Sequence, residues 1–161
     1  MPATTTPPLN PTGVDLRAPV VARHHLDIAA RLDDVWRLHT DVDGWPAWQP
    51  DITMARGDGA FAPGGSFAWE TFGLEISSRI YRVDAASDTE RGTLWGGPAR
   101  GIVGLHAWTF LAVPGGVRVY TEESWSGPPV EADVTAMQTA LDASLLSWLR
   151  HLKDAAERHG A

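Results

Sequence analysis

EADVTAMQTALDASLLSWLRHLKDAAER, residues 131–158, is the stretch that decides the fold. Its apolar residues Met137, Leu141, Leu145, Trp148, Leu152 and Ala155 recur at spacings of three and four, the period of one helical face. The expectation is one continuous helix of about 42 Å at 1.5 Å rise per residue. Glu131 and Asp133 stand at its start and Arg158 and His159 at its end, each complementing the helix dipole. Such a stripe needs an apolar surface to cover it.

The preceding residues supply that surface. From residue 52 onward the period is two, and strands are expected at 52–57, 65–72, 74–84, 91–97, 101–113 and 116–126. The separators are Asp58-Gly59, Pro63-Gly64-Gly65, Gly73, the run 84–92, the turn GGPARG at 96–101, and Pro114-Gly115-Gly116. Gly and Asp tolerate the positive φ of tight hairpins, so consecutive strands pair as an antiparallel meander. Upstream, Val20 to Ile28 reads as a first strand. Asp33 or Asp34 then caps a short helix carrying Leu32, Val35, Trp36 and Leu38. Gly44 and Pro46 end that helix, leaving room for one more turn before Pro50. The fold class is therefore α+β, in the order β-α-α-β6-α. A curved seven-stranded antiparallel sheet wraps the long C-terminal helix.

Composition narrows the function. The chain has 161 residues, 43% hydrophobic and 20% charged, with a net charge of −7. That fits one soluble domain, monomer or homodimer, and speaks against nucleic acid as a partner. With no cysteine there is no disulfide, thiolate nucleophile or Cys-based metal site. His24 and His25 point to opposite faces of a strand, no HExxH occurs, and Asp41 and Asp43 are too few for a calcium loop. Neither a metal nor a cofactor is expected. Residues 1–18, rich in Pro and Thr, read as a flexible tail, and 19–161 as the domain. With no signal peptide and no apolar run long enough to span a bilayer, membrane insertion is not expected and a cytoplasmic location is.

Eight tryptophans, Trp36, Trp45, Trp48, Trp69, Trp95, Trp108, Trp125 and Trp148, are spread over nearly every element. Trp is a large apolar surface with one N–H that seeks a partner, which suits the wall of a partly polar cavity. So many in one small domain point to a hollow interior that holds a hydrophobic, aromatic or polycyclic small molecule.

Several motifs carry a family likeness: Val35-Trp36, Asp43-Gly44-Trp45-Pro46-Ala47-Trp48, Ser77-Ser78-Arg79, Leu94-Trp95, and Leu105 to Phe110 followed by Gly115 to Val119. Glu122-Glu123-Ser124-Trp125-Ser126-Gly127 adds to them. Over about residues 20–158 the sequence resembles the START-like superfamily, also called the polyketide cyclase and lipid-transport or SRPBCC superfamily, with its helix-grip fold. The resemblance implies a ligand cavity between sheet and helix. It leaves the function open among lipid and hormone binders, aromatase/cyclases and quinone-binding proteins.

In the aromatase/cyclases an arginine of the middle strand faces the cavity, and by resemblance Arg79 takes that place. A buried guanidinium would stabilise the oxyanion of a ring closure. The local alternation leaves two settings open: Leu74, Ile76 and Ile80 share one face, Glu75, Ser77, Arg79 and Tyr81 the other. Glu123 alternates with Val117, Val119, Thr121 and Trp125, which places it inward, paired with Arg79 or His106. His106 shares a face with Trp108 and Phe110 and is the candidate general base.

The expected ligand wall is Trp45, Trp69, Glu75, Ser77, Trp95, Trp108, Trp125, Met137 and Leu141, with Trp48 assigned to packing. Two functions follow. One is binding of a hydrophobic small molecule. The other is a cofactor-independent polyketide cyclase or dehydratase using Arg79 with His106 or Glu123. The chain departs from the cyclases in lacking a clear tyrosine between the helix break and the second strand.

Overall fold

The computed structural model describes residues 10–159. Seven strands, β1 (Val20–Ile28), β2 (Ile52–Asp58), β3 (Ser66–Thr71), β4 (Leu74–Asp84), β5 (Glu90–Ala99), β6 (Ile102–Val113) and β7 (Gly116–Ser126), form one antiparallel sheet. Its order is β1-β7-β6-β5-β4-β3-β2, so the meander is interrupted only by the return of β7 to β1. The helices are α1 (Leu32–Thr40), α2 (Trp45–Trp48), α3 (Pro128–Ala132) and α4 (Val134–His159). A 3-10 turn at Val42–Gly44 joins α1 to α2. This is the expected helix-grip arrangement, with strand limits within two residues of those read from the sequence.

Two helix starts differ from expectation. The long helix is split, because the backbone at Asp133 is extended (φ −154°, ψ 78°). Pro128 and Pro129 favour a separate first turn, and Asp133 Oδ1 accepts the Ala136 N–H at 3.0 Å, capping α4 afresh. Helix α1 starts at Leu32 from an extended Arg31 with no side-chain cap. Asp33, expected as a cap, instead accepts a hydrogen bond from Arg91 Nη2 at 2.7 Å.

The N-terminal segment also departs from a wholly flexible tail, although residues 1–9 lie outside the described part. The Thr12 carbonyl accepts from Arg82 Nη1 at 2.8 Å, and the Asp15 N–H donates to Ser124 Oγ at 2.9 Å. Arg82 pairs with Leu94, and Ser124 with Leu105. Both anchors therefore lie on the outer face of the sheet, and the segment between them crosses β5 and β6. That crossing explains why Leu94 and Leu105 are buried on the outer face.

The inner face packs against α1, α2 and α4. Trp108, Phe110, Val117, Val119, Leu149, Leu152 and Ala156 are buried together with Val35 and Trp45. A second cluster joins Val20, Ala22, Val130, Leu141 and Leu145. One inner row crosses five strands in register, Ile80, Trp95, His106, Glu123 and Ala22. That row places the polar groups of the interior side by side.

Candidate ligand-binding cavity

Between the β3–β7 part of the sheet and the N-terminal half of α4 lies a cavity of about 510 Å³. The helix leaves space there because, N-terminal to Trp148, the face it turns to the cavity carries small side chains: Ala140, Ala143, Ser144 and Ser147. These residues run beside the Leu141–Leu145–Leu152 stripe, which packs solidly. From the sheet come Trp69, Ile76, Ser78, Trp95, Gly104, His106, Glu123 and Trp125, with Trp148 from α4. The rim is formed by Phe72, Leu74, Ala99 and Ile102 around two hairpin turns. Each turn has positive φ at both central residues, Phe72-Gly73 (49° and 75°) and Arg100-Gly101 (47° and 82°), as two-residue hairpins of the primed type require. A bulky residue in that conformation is strained, and Phe72 is also 68% exposed.

The polar groups of the wall are few and closely coupled. His106 is fully enclosed, and its Nε2 is hydrogen-bonded to Thr121 Oγ1 at 2.7 Å. Its Nδ1 has no hydrogen-bond partner and lies 3.4 Å from Glu123 Oε2. Burial, with His39 nearby adding to it, holds the His106 imidazole well below its usual pKa, so it is neutral at physiological pH. The Glu123 side chain is 14% exposed. Burial pushes its carboxyl up to about 7, opposed by the hydrogen bond it accepts from Trp125 Nε1–H at 2.9 Å. Trp69 Nε1–H donates to Ser78 Oγ at 3.0 Å, which fixes the ring against the wall. Asp51 lines the mouth: its Oδ2 accepts from Ser147 Oγ at 2.7 Å, and Thr71 Oγ1 donates to its carbonyl at 2.7 Å.

The structure brings Trp69, Trp95, His106, Glu123 and Trp125 together, and separates the rest of the expected set from them. Arg79, Glu75 and Ser77 are exposed on the outer face of β4. The apolar alternation Leu74, Ile76, Ile80 decides the face, because those side chains are the ones that burial rewards. Arg79 therefore cannot polarise a ligand inside, and Glu123 has His106, not Arg79, as its neighbour. Trp45 and Trp108 are core residues, each 0% exposed, and neither borders the cavity. Pro46 opens α2 so that Trp45 turns inward against Phe67, Trp95 and Trp148, with its N–H bonded to the His39 carbonyl at 3.0 Å. Trp108 stacks between Phe110 and His106. Met137 and Leu141 face the second cluster near β1, and of the α4 stripe Trp148 is the member that borders the cavity. Sequence reasoning missed Asp51, Phe72, Trp148, which reads as core between helices, and the small-residue face of α4. The last had a readable signal, the three- and four-residue spacing of Ala140, Ala143, Ser144 and Ser147.

The sheet-and-helix frame with its apolar cavity defines the class: a helix-grip fold. Residues 19–157 match the family model "Polyketide cyclase / dehydrase and lipid transport", and the chain belongs to that family. No curated protein matches the sequence. Among solved structures, a START superfamily protein from Mycobacterium smegmatis aligns with 10% identity and a TM-score of 0.67, over 86% of this chain and 97% of that one. A STAR-related lipid transfer protein from Xanthomonas axonopodis gives 17% identity and 0.66, over 88% and 89%. The di-domain ARO/CYC StfQ of the steffimycin biosynthetic pathway gives 16% and 0.67, over 87% of this chain and 52% of that one. At these identities the likeness is one of fold. Among the described residues no helix is long and apolar enough to cross a membrane, and no group of His, Asp or Glu is set to hold a metal ion.

Proposed function

We propose that this protein binds a hydrophobic, aromatic or polycyclic small molecule in the cavity between the sheet and α4. The observation that carries the reading is the cavity of about 510 Å³ with four tryptophans, Trp69, Trp95, Trp125 and Trp148, in its wall. Such a volume is in the range of small-molecule sites. Burying apolar ligand surface there contributes roughly 25 cal/mol per Å². Membership of a family that includes lipid-transport proteins supports it, as does the likeness to a lipid transfer protein. Four wall tryptophans give the test a direct signal: titration with flavonoids, aromatic polyketides and fatty alcohols should quench or shift the intrinsic fluorescence saturably. No response across that panel would overturn the reading.

A second reading, a cofactor-independent cyclase or dehydratase, is favoured by one observation. Glu123, with a carboxyl pushed up to about 7, stands in the cavity 3.4 Å from the imidazole of His106. A carboxyl poised near neutrality can give or take a proton in a poly-carbonyl substrate. With Arg79 outside, the electrophile of the original expectation is lost, so proton transfer by Glu123 is the chemistry this reading retains. Turnover of a poly-β-ketone by the wild type, abolished in Glu123→Gln, would establish it; unchanged turnover in that variant would refute the assignment.

A further inference from the structure

Apart from the enclosed His106, the ionisable groups of the cavity wall share one sign. Asp51 and Glu123 line it, and no lysine or arginine does. Arg100 is in the rim turn but exposed and outside the wall, and Arg79 is on the opposite face of the sheet. His106 is the group beside Glu123 that could carry positive charge, and it is enclosed with one ring nitrogen already bonded to Thr121. A carboxyl this enclosed is ordinarily met by a cation. Glu123 receives one indole N–H instead. Trp125 stands beside it, and Trp95, Trp148 and Trp69 complete the aromatic wall. Faces of tryptophan attract cations through the ring quadrupole.

Resting on the reading of this cavity as a small-molecule site, we infer that it selects by charge. It takes an aromatic ligand bearing a protonated amine, whose nitrogen meets Glu123 among the tryptophans, and it rejects ligands bearing a carboxylate. The amine supplies the counter-charge that the fold withholds from Glu123. A carboxylate on the same ring system would instead meet Glu123 and Asp51 with no cation in the wall to offset them. A neutral ligand would be held by apolar contact alone and fall between the two.

Isothermal titration calorimetry with three probes on one ring tests this above pH 7, where Glu123 is ionised: 2-naphthylmethylamine, 2-naphthylmethanol and 2-naphthoate. The expected order is amine, alcohol, carboxylate, with the amine at least about tenfold tighter than the carboxylate. Glu123→Gln keeps the acceptor for Trp125 Nε1–H and should close most of that gap, chiefly by weakening the amine and strengthening the carboxylate. Glu122→Gln, on the exposed face where Glu122 pairs with Arg23 at 2.8 Å, should leave the gap intact. Carboxylate binding as tight as amine binding overturns the inference. So does a gap that survives Glu123→Gln, or one that collapses equally in Glu122→Gln, which would trace it to overall charge. If the alcohol binds but the order fails, selection by charge falls and the cavity reading stands. If none of the three binds, both fall.

Discussion

Two histidines mark the difference between the ends of the space beneath the sheet. His39 and His106 are both 1% exposed, and each is hydrogen-bonded through Nε2 to a threonine hydroxyl, Thr93 at 2.8 Å and Thr121 at 2.7 Å. His39 sits where α1, β6 and the C-terminal half of α4 close on one another, its ring among Trp36, Phe61, Trp108 and Phe110. His106 has the Trp148 ring of α4 edge-on at 5.5 Å, and beside that ring, where α4 goes on with alanine and serine, the structure opens. The same residue type with the same kind of partner is core at one end and wall at the other. What differs is the neighbourhood: rings from α1, β6 and the 59–65 turn enclose His39, while His106 borders the space that Ala140, Ala143, Ser144 and Ser147 of α4 leave open. The cavity is thus set by what the helix lacks, and the tryptophans line a space they did not create.

The largest effect separating the two ends is the response to truncation. Trp108→Ala, at the filled end, should cost about 3–5 kcal/mol in urea denaturation. Trp125→Ala should cost clearly less, because part of that ring already borders open space. Equal losses would break the comparison.

The pH dependence of stability should differ in sign between the ends. Burial lowers His39 from 6.5 to about 3, so its contribution is present above 6.5 and lost as pH falls and the unfolded chain takes up the proton. Glu123 is raised from 4.5 to about 7, so its contribution is present below 4.5 and lost as pH rises through 7. Replacing it by Gln should therefore leave stability unchanged near pH 4 and raise it by up to about 3 kcal/mol above pH 7. Chemical denaturation of both proteins across that range checks the sign. A variant less stable than wild type at high pH would show that the carboxylate is stabilised at the hollow end.

The smallest expected effect is at the rim. Phe72 holds φ 49° with its side chain 68% exposed, so Phe72→Asn should gain about 1 kcal/mol by relieving the left-handed backbone. A loss in thermal denaturation would show that the ring packs across the mouth.

Most of the fold was legible because it rests on periodicity. The period of two across β2 to β7 and the stripe from Met137 to Ala155 survive as sheet and α4. The break at Asp133 was not legible as a break, since an aspartate near a helix start fits either a first turn or a cap. The site was legible where alternation was one-sided: Glu123 and His106 follow the inward phase of β7 and β6. It failed at β4, where the resemblance placed Arg79 inside and the apolar residues Ile76 and Ile80 took that face. It failed too for Trp45, Trp108, Met137 and Leu141, because a large apolar residue on an inward face suits core and wall alike. Only the facing element distinguishes the two, and that is a tertiary fact.

The central claim is most directly tested by filling the space from the helix side. Ser144 lines the cavity and makes no side-chain hydrogen bond among the described residues, so Ser144→Leu inserts a side chain where α4 supplies none. Calorimetric titration with 2-naphthylmethanol should show saturable binding to the wild type and none to Ser144→Leu, with the fold retained by circular dichroism. Equal binding to both proteins would contradict the account.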